Sequence, residues 1–375
     1  VGVVAGQTRR RWLLVAVGLA IICSLPVVIS AIPAAVGPAV NPAQLRARIL
    51  SSVNTPYEGY AESDSALGIP NLRALSDVTA MLDGTARMRV WQASPSAWRV
   101  DVLSDVGEHD TYQLPGKTYS WDSGGQLLTE VAGNQPFRLP RAADLLPPAL
   151  ALRLLRDAGS TGRMTSLPAK RIAGRDAPGL RLVPTDPATT IGQVDIWTDA
   201  ATGLPLQVEI TGRRTGQGVL TSRFLQVGFS RPAVRVLTPA RGPGSGFAIT
   251  NPANIASALG NLDDEQLPGS LAGRPRVPPP AAFQEIGIYG SGLSTFAVIT
   301  LRGPGLRVLR NAQNNGGTPL TFAKGFGVQI ATPLITVVLV HPYASFDTFL
   351  VAGPASPQLL TQAAAQLSTK PDRDL

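Results

Sequence analysis

The chain has 375 residues, 44% of them hydrophobic and only 15% charged: enough apolar material for two domain cores, and less charge than a typical soluble protein carries. Two His and one Cys exclude a zinc site built from Cys and His ligands and any disulfide within the chain. The net charge of +8 includes the triplet Arg9-Arg10-Arg11, and no basic helix or basic–aromatic interleaving follows it, so nucleic acid is not an expected partner.

Behind that triplet, residues 12–32 form an uncharged apolar run of 21 residues. As a helix rising ~1.5 Å per residue it spans about 31 Å, one hydrocarbon thickness. The arginines in front of it place residues 1–11 in the cytoplasm and export the rest. The length of the run predicts a retained transmembrane helix over 12–35, whereas Pro26 and the small residues Ser30, Ala31, Ala34 and Ala35 are features of a cleaved signal peptide. The expected location is the cell membrane, single-pass with both domains extracytoplasmic, or the exterior if the segment is cleaved.

Asn41-Pro42 reads as an N-cap with proline at the first helical position. It opens a helix over 42–53 with Leu45, Ile49 and Leu50 on one face. Period-two alternation then predicts strands over 85–91, 98–103, 110–114, 118–121 and 127–131, and again over 179–183, 193–198, 206–211 and 219–229. In the first two, Ala86, Met88 and Val90, then Trp98, Val100 and Val102, share the apolar face. Residues 198–205 form a turn-rich hairpin connection. The leucine-rich stretch 141–157, broken or restarted at Pro147-Pro148, and the first helix are the candidates to cover an antiparallel sheet with one apolar face. These elements make a domain over 36–237. A Gly/Pro-rich linker follows over 238–282, with a short helix near 254–259. A smaller α+β domain covers 283–368, with strands over 285–289, 295–301, 327–330, 334–340 and around 348–351, and helices over 305–313 and 357–367. Residues 369–375 are a tail.

Chemistry-bearing residues are few. His109 lies between Glu108 and Asp110; such a cluster can hold a cation, but the stretch reads as an exposed acidic loop. His341-Pro342 reads as the turn ending an apolar strand, and Asp263-Asp264-Glu265 as a solvated part of the linker. Trp91 and Trp197 fall on the opposite parity from their strands' aliphatic residues, which places them on the outer face or marks a bulge. The glycines at 242–246 and 290–292 lack phosphate-loop spacing. No catalytic residue, metal site or cofactor is expected, and an enzyme is not.

Taken in order, Pro56-Tyr57-Glu58-Gly59, Gly84-Thr85, Val90-Trp91, Trp98-Arg99-Val100, Tyr119-Ser120-Trp121 and Thr198-Asp199 with Thr202-Gly203-Leu204-Pro205-Leu206 resemble the LolA-like superfamily. Within it the resemblance is to the MucB/RseB-type sigma-factor regulatory proteins and their actinobacterial relatives. Tyr289-Gly290-Ser291-Gly292-Leu293, Thr332-Pro333-Leu334 and Thr348-Phe349-Leu350-Val351-Ala352-Gly353 resemble the C-terminal domain of such proteins, so that the likeness covers about residues 42–367. It implies an α+β protein: a membrane helix, a curved antiparallel LolA-like half-barrel closed by helices around an apolar cavity for acyl chains, and a smaller C-terminal α+β domain. The expected cavity wall is Met88, Val90, Trp98, Val100, Val102, Ile196, Leu206 and Val208, with Leu146 and Leu150 from a lid. The expected partners are a lipid or acylated ligand, the cytoplasmic membrane, and an anti-sigma factor or an ABC transporter. The role implied is an envelope sensor and regulator; the alternatives are a lipid or lipoprotein carrier serving a transporter, and a structural envelope protein packed solid. The family's lipoprotein carriers diffuse freely, so a retained anchor departs from that pattern.

Overall fold

Asn41 starts the first helix, α1 (Pro42–Ser51), by accepting the Ala43 N–H on its Oδ1 at 2.9 Å, and Pro42 occupies a position that needs no donor. In this computed structural model the described residues are 40–67, 83–104, 107–132, 141–160, 162–240, 244–250, 267–278, 286–302 and 305–369. The expected membrane segment, the short helix near 254–259 and the acidic residues 263–265 lie outside them. Among the described residues no helix is long and apolar enough to cross a membrane.

After α1 come β1 (Tyr57–Ala66), β2 (Asp83–Ser94), β3 (Ala97–Ser104), β4 (Gly107–Leu114), β5 (Lys117–Asp122) and β6 (Leu127–Ala132). A 3₁₀ turn over Ala142–Leu145 leads into α2 (Pro147–Ala158). A second run of strands follows: β7 (Gly162–Ile172), β8 (Arg175–Pro184), β9 (Ile191–Thr198), β10 (Pro205–Gly212) and β11 (Gly218–Gly228), then α3 (Val234–Leu237) and β12 (Gly246–Thr250). All twelve strands form one sheet in the order β12-β6-β5-β4-β3-β2-β1-β11-β10-β9-β8-β7. Two meanders are joined where β1 pairs with β11, and only β12 runs parallel to its neighbour.

One face of this sheet carries the core. Ala61, Met88, Val90 and Val100 from one meander and Leu180, Leu182, Val194, Ile196, Leu206, Val208 and Phe224 from the other are buried against Leu45 and Ile49 of α1 and the leucines of α2. Burial of this apolar area, worth roughly 25 cal/mol per Å², holds the two meanders together. At the seam Gly59 is required: a Cβ there would lie 2.5 Å from the Gln226 carbonyl oxygen and 3.1 Å from the Phe224 ring.

The C-terminal part forms a second sheet from β13 (Ser270–Leu271), β14 (Arg274–Val277), β15 (Ile286–Tyr289), β16 (Phe296–Arg302), β17 (Thr318–Phe322), β18 (Gly325–Ala331), β19 (Thr336–Pro342) and β20 (Asp347–Gly353). Their order is β13-β14-β15-β16-β20-β19-β18-β17. Between β16 and β17 lies α4 (Gly305–Asn314), and α5 (Pro357–Leu367) closes the chain. Leu360, Ala363, Ala364 and Leu367 of α5 pack on Val338, Val340, Phe349 and Val351, while Leu309 and Ala312 of α4 pack on Val328 and Leu339. Helices on both faces explain why β19 reads as a continuous apolar run instead of an alternation.

The expected elements and the observed ones differ at instructive places. Strands β1, β7 and β17 were not among the expected elements. Residues 238–282, expected as a linker, supply β12, β13 and β14. His341, expected in a turn, is buried inside β19 with Nδ1 3.1 Å from Thr348 Oγ1, and burial lowers its pKa.

Candidate functional site

The ten residues expected to wall a cavity pack in one cluster, eight on the helix-covered face of the sheet and Leu146 and Leu150 on the segment that covers it. Met88, Val90, Val100, Leu146, Leu150, Ile196, Leu206 and Val208 are buried; Trp98 and Val102 are half-buried against them. The 3₁₀ turn lies against β3 and α2 against β10 and β11, where the helix buries Leu150, Ala151, Leu152, Leu154, Leu155 and Ala158. Pro147 and Pro148 start that helix, so the predicted break falls between the 3₁₀ turn and α2.

Few polar ties hold α2 down. The Ser222 hydroxyl donates to the Leu145 carbonyl just before it, and Arg46 of α1 donates to the carbonyls of Leu155 and Gly159 at its C-terminal end. That end of a helix favours a cation. The turn from Asp199 to Leu204 abuts α1: Arg48 Nη2 donates to the Ala200 carbonyl, and Gly203, at φ +76°, leaves no room for a Cβ beneath the Arg48 carbonyl.

Register shows how the face changes along the sheet. Gly59, Val90, Val100, Thr111, Ser120, Thr129 and Ala248 stand in one cross-strand row. The row is apolar from β1 to β3, and hydroxyl-bearing and half-buried on β4, β5 and β6. This polar half of the same face was missed in the sequence, because Thr111, Ser120 and Thr129 align only once the register is known.

The opposite, outer face holds the charged groups. Arg99 and Trp91 are cross-strand partners, and the guanidinium carbon lies 5.2 Å from the Trp91 ring centre and 4.9 Å from that of Tyr112. Arg99 Nε donates to Asp101 Oδ1 at 2.5 Å and Nη2 to Asp110 Oδ2 at 2.9 Å. Burial, opposed by the bond from Arg99 and reinforced by the Asp110 charge, pushes the Asp101 carboxyl up to about 7, and burial raises Asp110 as well. Asp110 therefore does not belong to an exposed acidic loop, while His109 points to the other face, exposed and 3.7 Å from Asp122 Oδ1. Trp197, expected on the outer face or at a bulge, has both: β10 bulges opposite it, and its indole donates to the Pro168 carbonyl with Lys170 over the ring.

Where the two domains meet, Ala158, Pro184, Asp186, Arg274, Ser291 and Leu293 line a cleft of about 300 Å³, so the C-terminal end of α2 abuts the C-terminal domain.

No family model matches the sequence, and no curated protein matches it. Solved structures do. The chain is similar to MucB in complex with MucA(peri), at 15% identity over 86% of this chain and 97% of that chain, with a TM-score of 0.49. It is similar to the Pseudomonas aeruginosa MucA/MucB complex, at 16% identity over 87% of this chain and 97% of that chain, also with a TM-score of 0.49. To a LolA superfamily protein from Nitrosomonas europaea the identity is 11% over 54% of this chain and 99% of that chain, with a TM-score of 0.26. The likeness is to LolA-like, MucB-like folds. It concerns the fold alone.

Proposed function

We propose that this chain is an extracytoplasmic protein, anchored through its 12–35 segment, that takes a lipid or a lipoprotein acyl chain against the helix-covered face of a LolA-like half-barrel and acts as an envelope sensor of the MucB/RseB regulatory kind. The observation that carries this reading is the register row running from Val90 and Val100 to Thr111, Ser120 and Thr129. An acyl chain laid along its apolar end gains about 25 cal/mol for each Å² removed from water, and the hydroxyl end meets the polar part of the same molecule. The 3₁₀ turn and α2 together cover the apolar part of this face now, so a ligand binds by displacing them.

Displacing α2 supplies two states, and a ligand that prefers one of them shifts the balance between them. Because α2 abuts the C-terminal domain beside Leu293, that shift is felt there. The partner in this reading is an anti-sigma factor, the class to which the sequence resemblance points.

Native mass spectrometry of the gently purified protein, followed by organic extraction, tests the reading. A stoichiometric lipid adduct supports it and identifies the ligand class. A clean protein mass that also refuses added phospholipid and lipopeptide overturns it and leaves an interaction scaffold.

A further inference from the structure

Three carboxylates and one guanidinium meet on the outer face of β3 and β4. Asp101 and Asp110 are cross-strand partners, 1% and 3% exposed, an arrangement in which like charges destabilise a sheet. Glu108, two residues before Asp110 and so on the same face, joins them, and one carboxylate oxygen from each of the three lies within 4.8 Å of the others. Arg99 occupies Asp101 Oδ1 and Asp110 Oδ2 and approaches Glu108 Oε1 at 3.7 Å. The Tyr112 hydroxyl also donates to Asp110 Oδ2, at 3.1 Å. These contacts leave Asp110 Oδ1 buried without a hydrogen-bond partner. The groups around the cluster add little to balance it. Arg89, opposite Asp101 on β2, and Arg235 on α3, which lies against β3, are both exposed, and Trp121 stands opposite Asp110 on β5. With all three carboxylates ionised, two negative charges remain after Arg99 is counted, beside an acceptor atom that has nothing to accept.

We propose that Asp101, Glu108 and Asp110 form a binding site for a hard divalent cation, with Ca²⁺ as the fitting species. Carboxylate oxygens are the donors such an ion takes, at ~2.3–2.6 Å, which allows separations of up to about 5 Å between ligand oxygens. The cluster falls inside that limit. Asp110 Oδ1 gains the partner it lacks, Arg99 keeps the other oxygens, and half-exposed Glu108 admits the ion and its waters from the surface. The bound ion clamps β3 to β4 in the wing of the sheet that carries the hydroxyl row, although the site stands independently of any lipid.

Terbium luminescence tests this on the full chain in detergent, because Trp91, Tyr112 and Trp121 surround the cluster as sensitisers. The expected result is saturable emission that Ca²⁺ displaces and that Mg²⁺ displaces less well. Glu108→Gln, at a side chain 41% exposed and harmless to the fold, weakens Tb³⁺ binding at least tenfold, and Asp110→Asn abolishes it. No sensitised emission, or Glu108→Gln binding as the parent protein does, overturns the site; the second result would assign the ion to other acidic residues. A melting temperature raised by Ca²⁺ in the parent but not in Glu108→Gln is the independent readout.

Discussion

Thr189, buried between β8 and β9, donates its hydroxyl to the carbonyl of Leu293 in the C-terminal domain at 2.6 Å, while the Leu293 side chain is packed into the core of the N-terminal domain. The same loop makes most of the joint. Thr190 donates to the Leu334 carbonyl, Ser356 N–H donates to the Ala188 carbonyl, and Thr189 bridges to Ala355. The two domains are thus connected by backbone and side-chain hydrogen bonds from one loop, and by two leucines of the C-terminal domain, Leu293 and Leu334, packed into the N-terminal core.

Asp186 is the charged member of that joint. Its Oδ2 accepts from Ser294 and Arg274, and its Oδ1 from the Ala188 N–H. Burial acts to raise its pKa, but the Ser294 and Ala188 bonds and the Arg274 charge outweigh it and hold the carboxyl below the usual range. A carboxyl lowered on folding stabilises the native state above its unfolded value, and that gain is lost as pH falls through the folded one, so the joint weakens below about pH 4. With the side chain 32% exposed, the hydrogen bonds count for more than the charge pair. Asp186→Ala is expected to lower the melting temperature by about 2–4 °C at pH 7 and by much less at pH 3. Calorimetry at the two pH values decides, and equal effects at both would remove the carboxylate from the account.

A second carboxylate organises the hairpin against α1. Asp199 is buried; its Oδ1 accepts from the N–H groups of Ala201 and Thr202 and from the Thr202 hydroxyl, and its Oδ2 from Arg175. Removing it leaves several donors without a partner. Asp199→Ala should cost about 2–4 kcal/mol, seen as a lower urea midpoint at unchanged slope. Thr202→Val, which removes one of those bonds and the one that the Leu204 N–H donates to Thr202 Oγ1, should cost roughly 1–2 kcal/mol. Two equal losses would mean that the turn holds without the carboxylate.

These residues also show how far the sequence can be read. The alternation Met88, Val90 and Val100, Val102 is visible because large aliphatic residues mark the buried face and arginines the other. β1 is not visible, since after Tyr57 its buried positions are Ala61, Ser63 and Ser65, too small and polar to mark a face. β7 is an edge strand interrupted by Pro168, with most of its residues exposed or half-buried, and β12 is a strand only because β6 offers it a free edge. The hydroxyl row depends on register from β3 to β6, and the Asp101–Asp110 pair on the register of β3 with β4, which no pattern within a single strand encodes.

That buried pair gives a pH dependence of opposite sign to the joint. The Asp101 carboxyl, pushed up to about 7 chiefly by burial, holds its proton in the folded chain at pH values where the unfolded chain has lost it. A raised carboxyl contributes stability that is complete below the unfolded value, about 4, and is lost as pH rises towards 7. With divalent ions chelated, stability should therefore fall between about pH 4 and 7 and level off above. Asp101→Asn should flatten that slope. Urea unfolding at intervals of half a pH unit measures it, and an Asp101→Asn profile parallel to that of the parent chain would assign the slope to other groups.

The sharpest prediction concerns α2, because it demands two changes of opposite sign. Leu155 is fully buried between α2 and the sheet, and Leu155→Ala opens a cavity worth about 2–5 kcal/mol of lost stability. If α2 only fills a core, lipid uptake is absent before and after. If α2 forms one wall of a ligand site, losing Leu155 removes contacts from ligand and fold together, and both decline. If α2 occupies the place an acyl chain would take, the same substitution weakens the competitor. Each 1.4 kcal/mol removed from the closed state then raises apparent lipid affinity about tenfold, up to the point where the lid is open without ligand. Binding of a fluorescent acyl probe and the urea midpoint, measured on one preparation, separate the three cases. The proposed function requires the third: a less stable protein that binds lipid at least tenfold more tightly.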